Sequence, residues 1–279
     1  MQNPDQLHFA TGGIPLSTLP RNTVNGVKHS RELGLTGMEI EFVRNVNIST
    51  VLAPQVRQMA EEQDILLTIH GQYYFNLNSS DPAIVAASIR RAVDAGKIGK
   101  QIDAWSICYH SAYMQGMETA AVYAVVKKNM QELLKQYQQH GIPLWFRPEI
   151  GGKLSQFGGL KELCELSAEF DHVLPCIDWS HLHARAQGKE NTEADFRRIL
   201  ETMEKINGKE SLRNVHFHAQ GVKYNGKGEL CHLELKDADV NYKGWVKIWK
   251  EFGCKGQVVC ESPNLETDAL VLQKAYQNT

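Results

Sequence analysis

The sequence predicts an α/β fold of the (β/α)8 TIM-barrel class, a single domain over residues 1–279. Two observations carry this reading. Short apolar runs recur eight times, and amphipathic stretches of helical period alternate with them. The runs are Leu7–Ala10, Met38–Phe42, Ile65–Ile69, Trp105–Tyr109, Ile142–Phe146, Val173–Ile177, Val215–Phe217 and Gln257–Cys260. They are short and rich in Ile, Val, Leu, Phe and Cys, the composition of strands buried on both faces of a parallel sheet. Such strands with helices between them fit a closed barrel better than an open sheet. No GxGxxG follows the first run, which argues against a dinucleotide fold. No Gly- or Ser-rich linker and no low-complexity segment divides the chain.

The connecting stretches read as helices from their caps and stripes. Asp81-Pro82 supplies an N-cap and a first-turn proline, and Ile84, Val85, Ile89 and Val93 follow at helical spacing. Val122, Val125, Val126, Met130, Leu133, Leu134 and Tyr137 form a second stripe, ended by Gly141. Phe196, Ile199, Leu200, Met203 and Ile206 form a third, stopped near Gly208. Trp245, Ile248, Trp249 and Phe252 form a fourth, stopped at Gly253. These faces belong to the core.

Composition narrows the function. Hydrophobic residues make up 42% of the chain, ample for a core. No run reaches the ~18 apolar residues of a membrane span. The polar Met1–Gly13 stretch lacks the layout of a secretory signal, so the expected location is cytoplasmic. The six cysteines form no CxxC pair, and they read as reduced core thiols rather than a disulfide framework. The net charge of −2 means that any nucleic-acid contact rests on a local patch.

The informative pattern lies where the runs end. Six of the eight are followed by a metal-ligating type: His70, His110, Glu149, Asp178, His218 and Glu261, with Pro148 preceding Glu149. The C-terminal strand ends of a TIM barrel converge on one pocket. A lone histidine at a strand end is more often an ordinary packed residue. Six together are not, because that many titratable groups buried without a cation would cost several kcal/mol each. Histidine and carboxylate donors suit zinc or manganese. His181, three residues after Asp178, is a further candidate ligand or else a loop histidine. His183 reads as structural. His216 shares a strand face with His218 and reads as packed deeper in the barrel. In the polar Gly226–His232 segment, Glu229, Cys231 and His232 offer donors, although a solvated turn is the default.

At these residues the sequence resembles the endonuclease IV family of apurinic/apyrimidinic endonucleases over nearly its whole length. The resemblance is carried by IHGQYYFNL (Ile69–Leu77), CYH (Cys108–His110), PEIGGKLSQFG (Pro148–Gly158), CIDWSHLHAR (Cys176–Arg185), HFHAQGVKYNGKGELCHL (His216–Leu233) and CESPN (Cys260–Asn264), in that order. MEIEFVRNV (Met38–Val46) and the KYNGKGE segment resemble the branch common in archaea and some bacteria.

The resemblance implies a zinc cluster of about two to three ions per chain, with manganese as an alternative. His70, His110 and Glu149 match the ligands of a first metal. Glu149 bridges to a second, matched by Asp178, His218 and Glu261, and His181 matches a ligand of a third. The family completes that third site with an Asp and a His two residues apart. Here Glu229 stands for the Asp, Cys231 lies two residues on, and the nearest histidine is His232. The implied reaction is in-line hydrolysis of the phosphodiester 5′ to an abasic site by a metal-activated hydroxide. It leaves a 3′-hydroxyl and a 5′-deoxyribose phosphate. Glu149 and Glu261 are the expected catalytic residues. Damaged double-stranded DNA is the expected partner, and the chain is expected to act as a monomer away from membranes.

For DNA contact the loop after the third run carries Gln72, Tyr73, Tyr74 and Asn76. The resemblance implies that such side chains enter the minor groove while the abasic nucleotide is flipped out. The alternative is two aromatics packed under the loop. Arg44 either contacts phosphate or is a surface arginine. A sugar isomerase or epimerase of the same barrel superfamily would share Glu149, Asp178, His218 and Glu261, but has no need of His70, His110 and His181. A non-catalytic binder of damaged DNA is a third possibility.

Overall fold

The computed structural model describes residues 4–279. Ten strands are present among them: β1 (Leu7–Gly12), β2 (Gly37–Glu41), β3 (Leu66–His70), β4 (Ser106–His110), β5 (Trp145–Glu149), β6 (Cys176–Asp178), β7 (Val215–His218), β8 (Gly221–Asn225), β9 (Gly228–Leu233) and β10 (Gly256–Cys260). The helices are α1 (Thr23–Glu32), α2 (Ala53–Gln63), α3 (Pro82–Gln101), α4 (Thr119–Gln139), α5 (Leu160–Ala168), α6 (Trp179–Arg185), α7 (Glu193–Asn207), α8 (Tyr242–Glu251) and α9 (Glu266–Gln277). Strands β1 to β7 and β10 form a closed barrel of parallel pairs, the TIM barrel expected from the sequence. The barrel closes where β1 pairs with both β2 (Ala10 opposite Gly37) and β10 (Leu7 opposite Gly256).

The helical signals act as anticipated. The Asp81 carboxylate accepts from the Ala83 amide at 2.8 Å, and Pro82 opens α3. Val122, Val126, Met130, Leu133 and Tyr137 bury one face of α4. Thr192 and Asp195 form a reciprocal capping box at α7, whose Phe196, Ile199, Leu200 and Met203 are buried. No helix among the described residues is long and apolar enough to cross a membrane.

The strand boundaries differ from the apolar runs by one to three residues, and three of the differences bear on the site. The fifth strand begins at Trp145, because Gly141 takes a left-handed turn and Ile142 to Leu144 serve as the connection. The sixth run yields only Cys176–Asp178. Val173 forms a lone bridge to Phe146, and Pro175, which has no N–H to donate, interrupts the ladder between them. The second strand ends at Glu41 rather than at Phe42.

Strands β8 and β9 form an antiparallel hairpin outside the barrel. The Gly226–His232 segment is therefore part of an ordered hairpin and not a solvated turn. The hairpin is seated on the β5–α5 loop: Glu229 N–H donates to Gly152 O at 3.0 Å and Leu154 N–H to Lys227 O at 3.1 Å. The approach is close enough to require glycine at both contacts. A Cβ at Gly228, where φ is +98°, would stand 2.3 Å from Gly152 O, and one at Gly152 would meet Glu229 and His181.

Candidate metal centre

Successive side chains of a strand point to opposite faces, so the last inward residues of the barrel strands meet at its C-terminal mouth. Glu149, at the end of β5, is the hub. Its Oε2 lies 3.2 Å from His70 Nε2 and 3.5 Å from His110 Nδ1. Its Oε1 lies 3.1 Å from His218 Nδ1 and 3.7 Å from His181 Nδ1. Asp178 Oδ2 is 3.1 Å from His181 Nδ1, and Glu261 Oε2 is 3.5 Å from His218 Nδ1. Asp178 also caps α6, accepting from the His181 amide at 2.6 Å, and Gln220 donates to its other oxygen at 2.8 Å. That cap places His181 one helical turn beyond the strand and over Glu149.

The hairpin supplies the outer edge. Glu229 Oε2 is 3.4 Å from His181 Nε2, and Glu229 Oε1 is 3.5 Å from His232 Nε2. His232 is held by contact of its Nδ1 with Glu261 O at 3.1 Å. Strict alternation along β9 would put Glu229 and Cys231 on one face and His232 on the other. The pairing prevents this. Tyr224 faces Glu229 and Lys223 faces Cys231, so Leu230 is an extra residue, a β-bulge that shifts the alternation by one. Glu229 and His232 then share a side, while Leu230 and Cys231 are exposed.

Donor atoms of Glu149, Asp178, His218 and Glu261 lie within 4.8 Å of one another, as do those of His110, Glu149 and His181, and those of His181, Glu229 and His232. Glu149 and His181 are each shared between sets. All nine ligand candidates from the sequence therefore converge. Glu149, Asp178 and His218 are fully buried, whereas Glu261, His110, Glu229 and His232 are partly open to the mouth.

The donor set fits divalent cations. Glu149 Oε2, His110 Nδ1, His181 Nε2 and Glu41 Oε1 are buried without a hydrogen bond of acceptable geometry. Orphaned buried polar atoms are rare because each costs about 1–3 kcal/mol. Burial opposes ionisation of Glu149, yet the charge of His218 and contacts with His218 and His70 hold its carboxyl well below the usual range. Burial pushes His110 down to about 4, against the pull of Glu149, leaving it neutral as a ligand must be.

Two carboxylates here escaped the sequence reading. Glu39 Oε1 lies 3.1 Å from His218 Nε2, its Oε2 lies 2.9 Å from His216 Nε2, and Thr68 donates to the same carboxylate at 2.7 Å. Glu41 ends β2 as His70 ends β3 and is paired with it in register. Burial, and then Glu39 and Glu261 against the pull of His70, push the Glu41 carboxyl up to about 8. The signal was present in Met38-Glu39-Ile40-Glu41-Phe42, where acids alternate with apolar residues in a buried strand.

The DNA-contact candidates stand around the mouth. Tyr73 and Tyr74 are 55% and 62% exposed, so they do not pack under their loop. The Tyr73 ring meets the His70 ring edge-on with centroids 5.9 Å apart. Arg44 is exposed. Asn76 is committed within the loop, its Oδ1 accepting from the Asn78 amide at 3.0 Å. Gln72 is buried and accepts from Tyr109 OH at 2.9 Å.

Comparison with known proteins places the chain in a family. The model of the xylose isomerase-like TIM barrel family matches residues 27–277, and the chain belongs to that family. An uncharacterized protein of Methanocaldococcus jannaschii is 35% identical over 276 residues, 99% of both chains. A probable endonuclease 4 of Persephonella marina is 24% identical over 180 residues, 63% of this chain and 62% of that protein. Endonuclease IV of Thermus thermophilus superposes with a TM-score of 0.73 at 17% identity, covering 98% of each chain. A D-tagatose 3-epimerase-like protein also gives a TM-score of 0.73, at 16% identity, covering 97% of this chain and 96% of that one. The likeness to endonuclease IV read from the motifs is thus matched in relatives and in fold, and the barrel is shared with sugar epimerases.

Proposed function

We propose that the protein is a metal-dependent apurinic/apyrimidinic endonuclease, zinc being its natural metal, that hydrolyses DNA on the 5′ side of an abasic site. The observation that carries this is the number of donors. Glu149, Asp178, His218 and Glu261 would satisfy one ion; His70 and His110 against Glu149, and His181 with Glu229 and His232, exceed what one ion needs. Metal ions held by these residues would supply a water nucleophile at neutral pH and neutralise charge on the phosphoryl group.

The chain's own residues would do the rest. Glu149 holds the histidines around it in one arrangement. The partly exposed Glu261 carboxylate accepts a hydrogen bond from the attacking water and orients it. Tyr73, steadied by its edge contact with His70, would fill the space that an extruded abasic nucleotide leaves, with Tyr74 next in the chain. Arg44, Lys153, Lys223 and Lys227 are exposed on loops and the hairpin near the mouth and would meet phosphates.

The second reading is a sugar epimerase, favoured by the four-donor set alone and by the shared fold. One assay separates them. Zinc-loaded protein is given a duplex with one abasic site, the same duplex intact, and a ketohexose. Nicking of the abasic strand alone, leaving a 3′-hydroxyl and a 5′-deoxyribose phosphate, is expected. Turnover of the ketose with the abasic duplex untouched would replace this reading with the other.

A further inference from the structure

One layer below the mouth the barrel interior carries a different donor set. Cys108 on β4, Cys176 on β6 and His216 and His218 on β7 are wholly buried, and one donor atom from each lies within 4.8 Å of all the others. Cys108 Sγ is 3.8 Å from His218 Nε2. The Glu39 carboxylate borders the same space, with Oε2 4.0 Å from Cys108 Sγ. His216 Nδ1 is taken by Ser106 Oγ at 3.0 Å, which leaves Nε2 facing the cluster. That Nε2 lies 2.9 Å from Glu39 Oε2, and Glu39 Oε1 lies 3.1 Å from His218 Nε2, but neither His216 Nε2 nor Glu39 Oε1 has a hydrogen bond of acceptable geometry.

From these residues we infer a second metal locus, a thiolate–imidazole site formed by Cys108, Cys176, His216 and His218 with Glu39 beside it. The thiols are not a disulfide pair. Strands β4 and β6 are separated by β5, two strand spacings or about 9–10 Å, beyond the ~7 Å limit for bridged Cα atoms. Two sulfurs and two imidazoles converging from three strands match the tetrahedral set that zinc takes in closed sites. Sulfur donors select zinc over magnesium or manganese. Ligation would release the two thiol protons to solvent, so the bound ion is balanced by two thiolates. His218 is the side chain the two loci share, with Nδ1 toward Glu149 and Glu261 and Nε2 toward Glu39 and Cys108. An ion below would fix that ring from the barrel interior and tie β4, β6 and β7 together.

The test uses metal-free full-length protein reconstituted with cobalt(II). A thiolate-to-cobalt charge-transfer band in the near ultraviolet is expected in the wild-type protein and in Cys231→Ser, which removes the exposed thiol of the hairpin. It should weaken in Cys108→Ser and in Cys176→Ser, each of which removes one of the two thiolates, and vanish when both are replaced. No band in the wild-type protein, or a band lost in Cys231→Ser, overturns the inference. Should either core variant fail to fold, zinc X-ray absorption of the Cys231→Ser protein decides. Sulfur at about 2.3 Å is expected, and a shell of nitrogen and oxygen alone contradicts it. These readouts are independent of DNA cleavage. A protein with the band but no nicking would refute the proposed activity alone, and one that nicks without the band would refute this site alone.

Discussion

Glu39 lies outside the proposed ligand set but touches it through His218. A ligating histidine is oriented by what its other nitrogen touches. For His218 that partner is Glu39, 3.1 Å from Nε2, and it leaves Nδ1 to face Glu149 and Glu261. Burial opposes charge on His218, but Glu261, Glu149 and Glu39 outweigh it and hold the ring well above the ordinary imidazole pKa in the metal-free chain. Glu39→Gln keeps the shape and removes the charge. It is expected to weaken metal retention about 10- to 100-fold in competition with a chelator, with the fold kept. Unchanged retention would show that Glu39 only fills space. Strand-end donors such as His70 and Asp178 were legible in the sequence because each directly follows an apolar run. Glu41 was not, because apolar Phe42 follows it and carried the run one residue past the true strand end.

At the scale of elements, the hairpin decides how the outer donors are arranged. The bulge at Leu230 is what lets residues three apart, Glu229 and His232, work from one side. A bulge leaves no mark on the apolar pattern, so the sequence favoured His232 over Cys231 on charge alone, and the strand pairing adds that His232 shares a side with Glu229 while Cys231 is exposed. An ion held by His181, Glu229 and His232 would act where charge develops on the leaving oxygen, so its loss should lower kcat more than substrate affinity. His232→Ala is expected to reduce kcat for abasic-site cleavage at least about tenfold. Cys231→Ser should change it little. The reverse outcome would mean that the hairpin holds its ion by sulfur.

The whole molecule pairs a conventional TIM-barrel exterior with an interior full of titratable groups. The exterior was legible because helical stripes and buried strands follow directly from period and composition. The interior was legible only at its rim. The metal-free chain should therefore be sensitive to pH. Groups whose folded pKa is raised stabilise the fold at low pH and lose that contribution as pH rises through the folded value. Glu41, raised to about 8, and His70, His181 and His218, all raised, fall in this class. The lowered histidines, His8 together with His110 and His216 at about 4, gain stability as pH rises, but only up to the unfolded imidazole value of about 6.5. From about 6.5 to 8 only the loss remains. Thermal melts of chelator-treated protein should fall across that window, and added zinc should raise Tm and flatten the slope. A metal-independent melt, flat from pH 6.5 to 8, would mean that the donor cluster is not built for a cation.

The most direct test of the account is the rate at which zinc-loaded protein nicks a duplex carrying one abasic site, measured for the wild-type chain and for Glu149→Gln. Glu149 touches His70, His110, His181 and His218, so one isosteric change reaches every part of the centre. The expected result is robust nicking by the wild-type chain, abolished by chelator, and a loss of at least about a hundredfold in the folded variant. Nicking at the wild-type rate by Glu149→Gln, or nicking that survives complete metal removal, would contradict it.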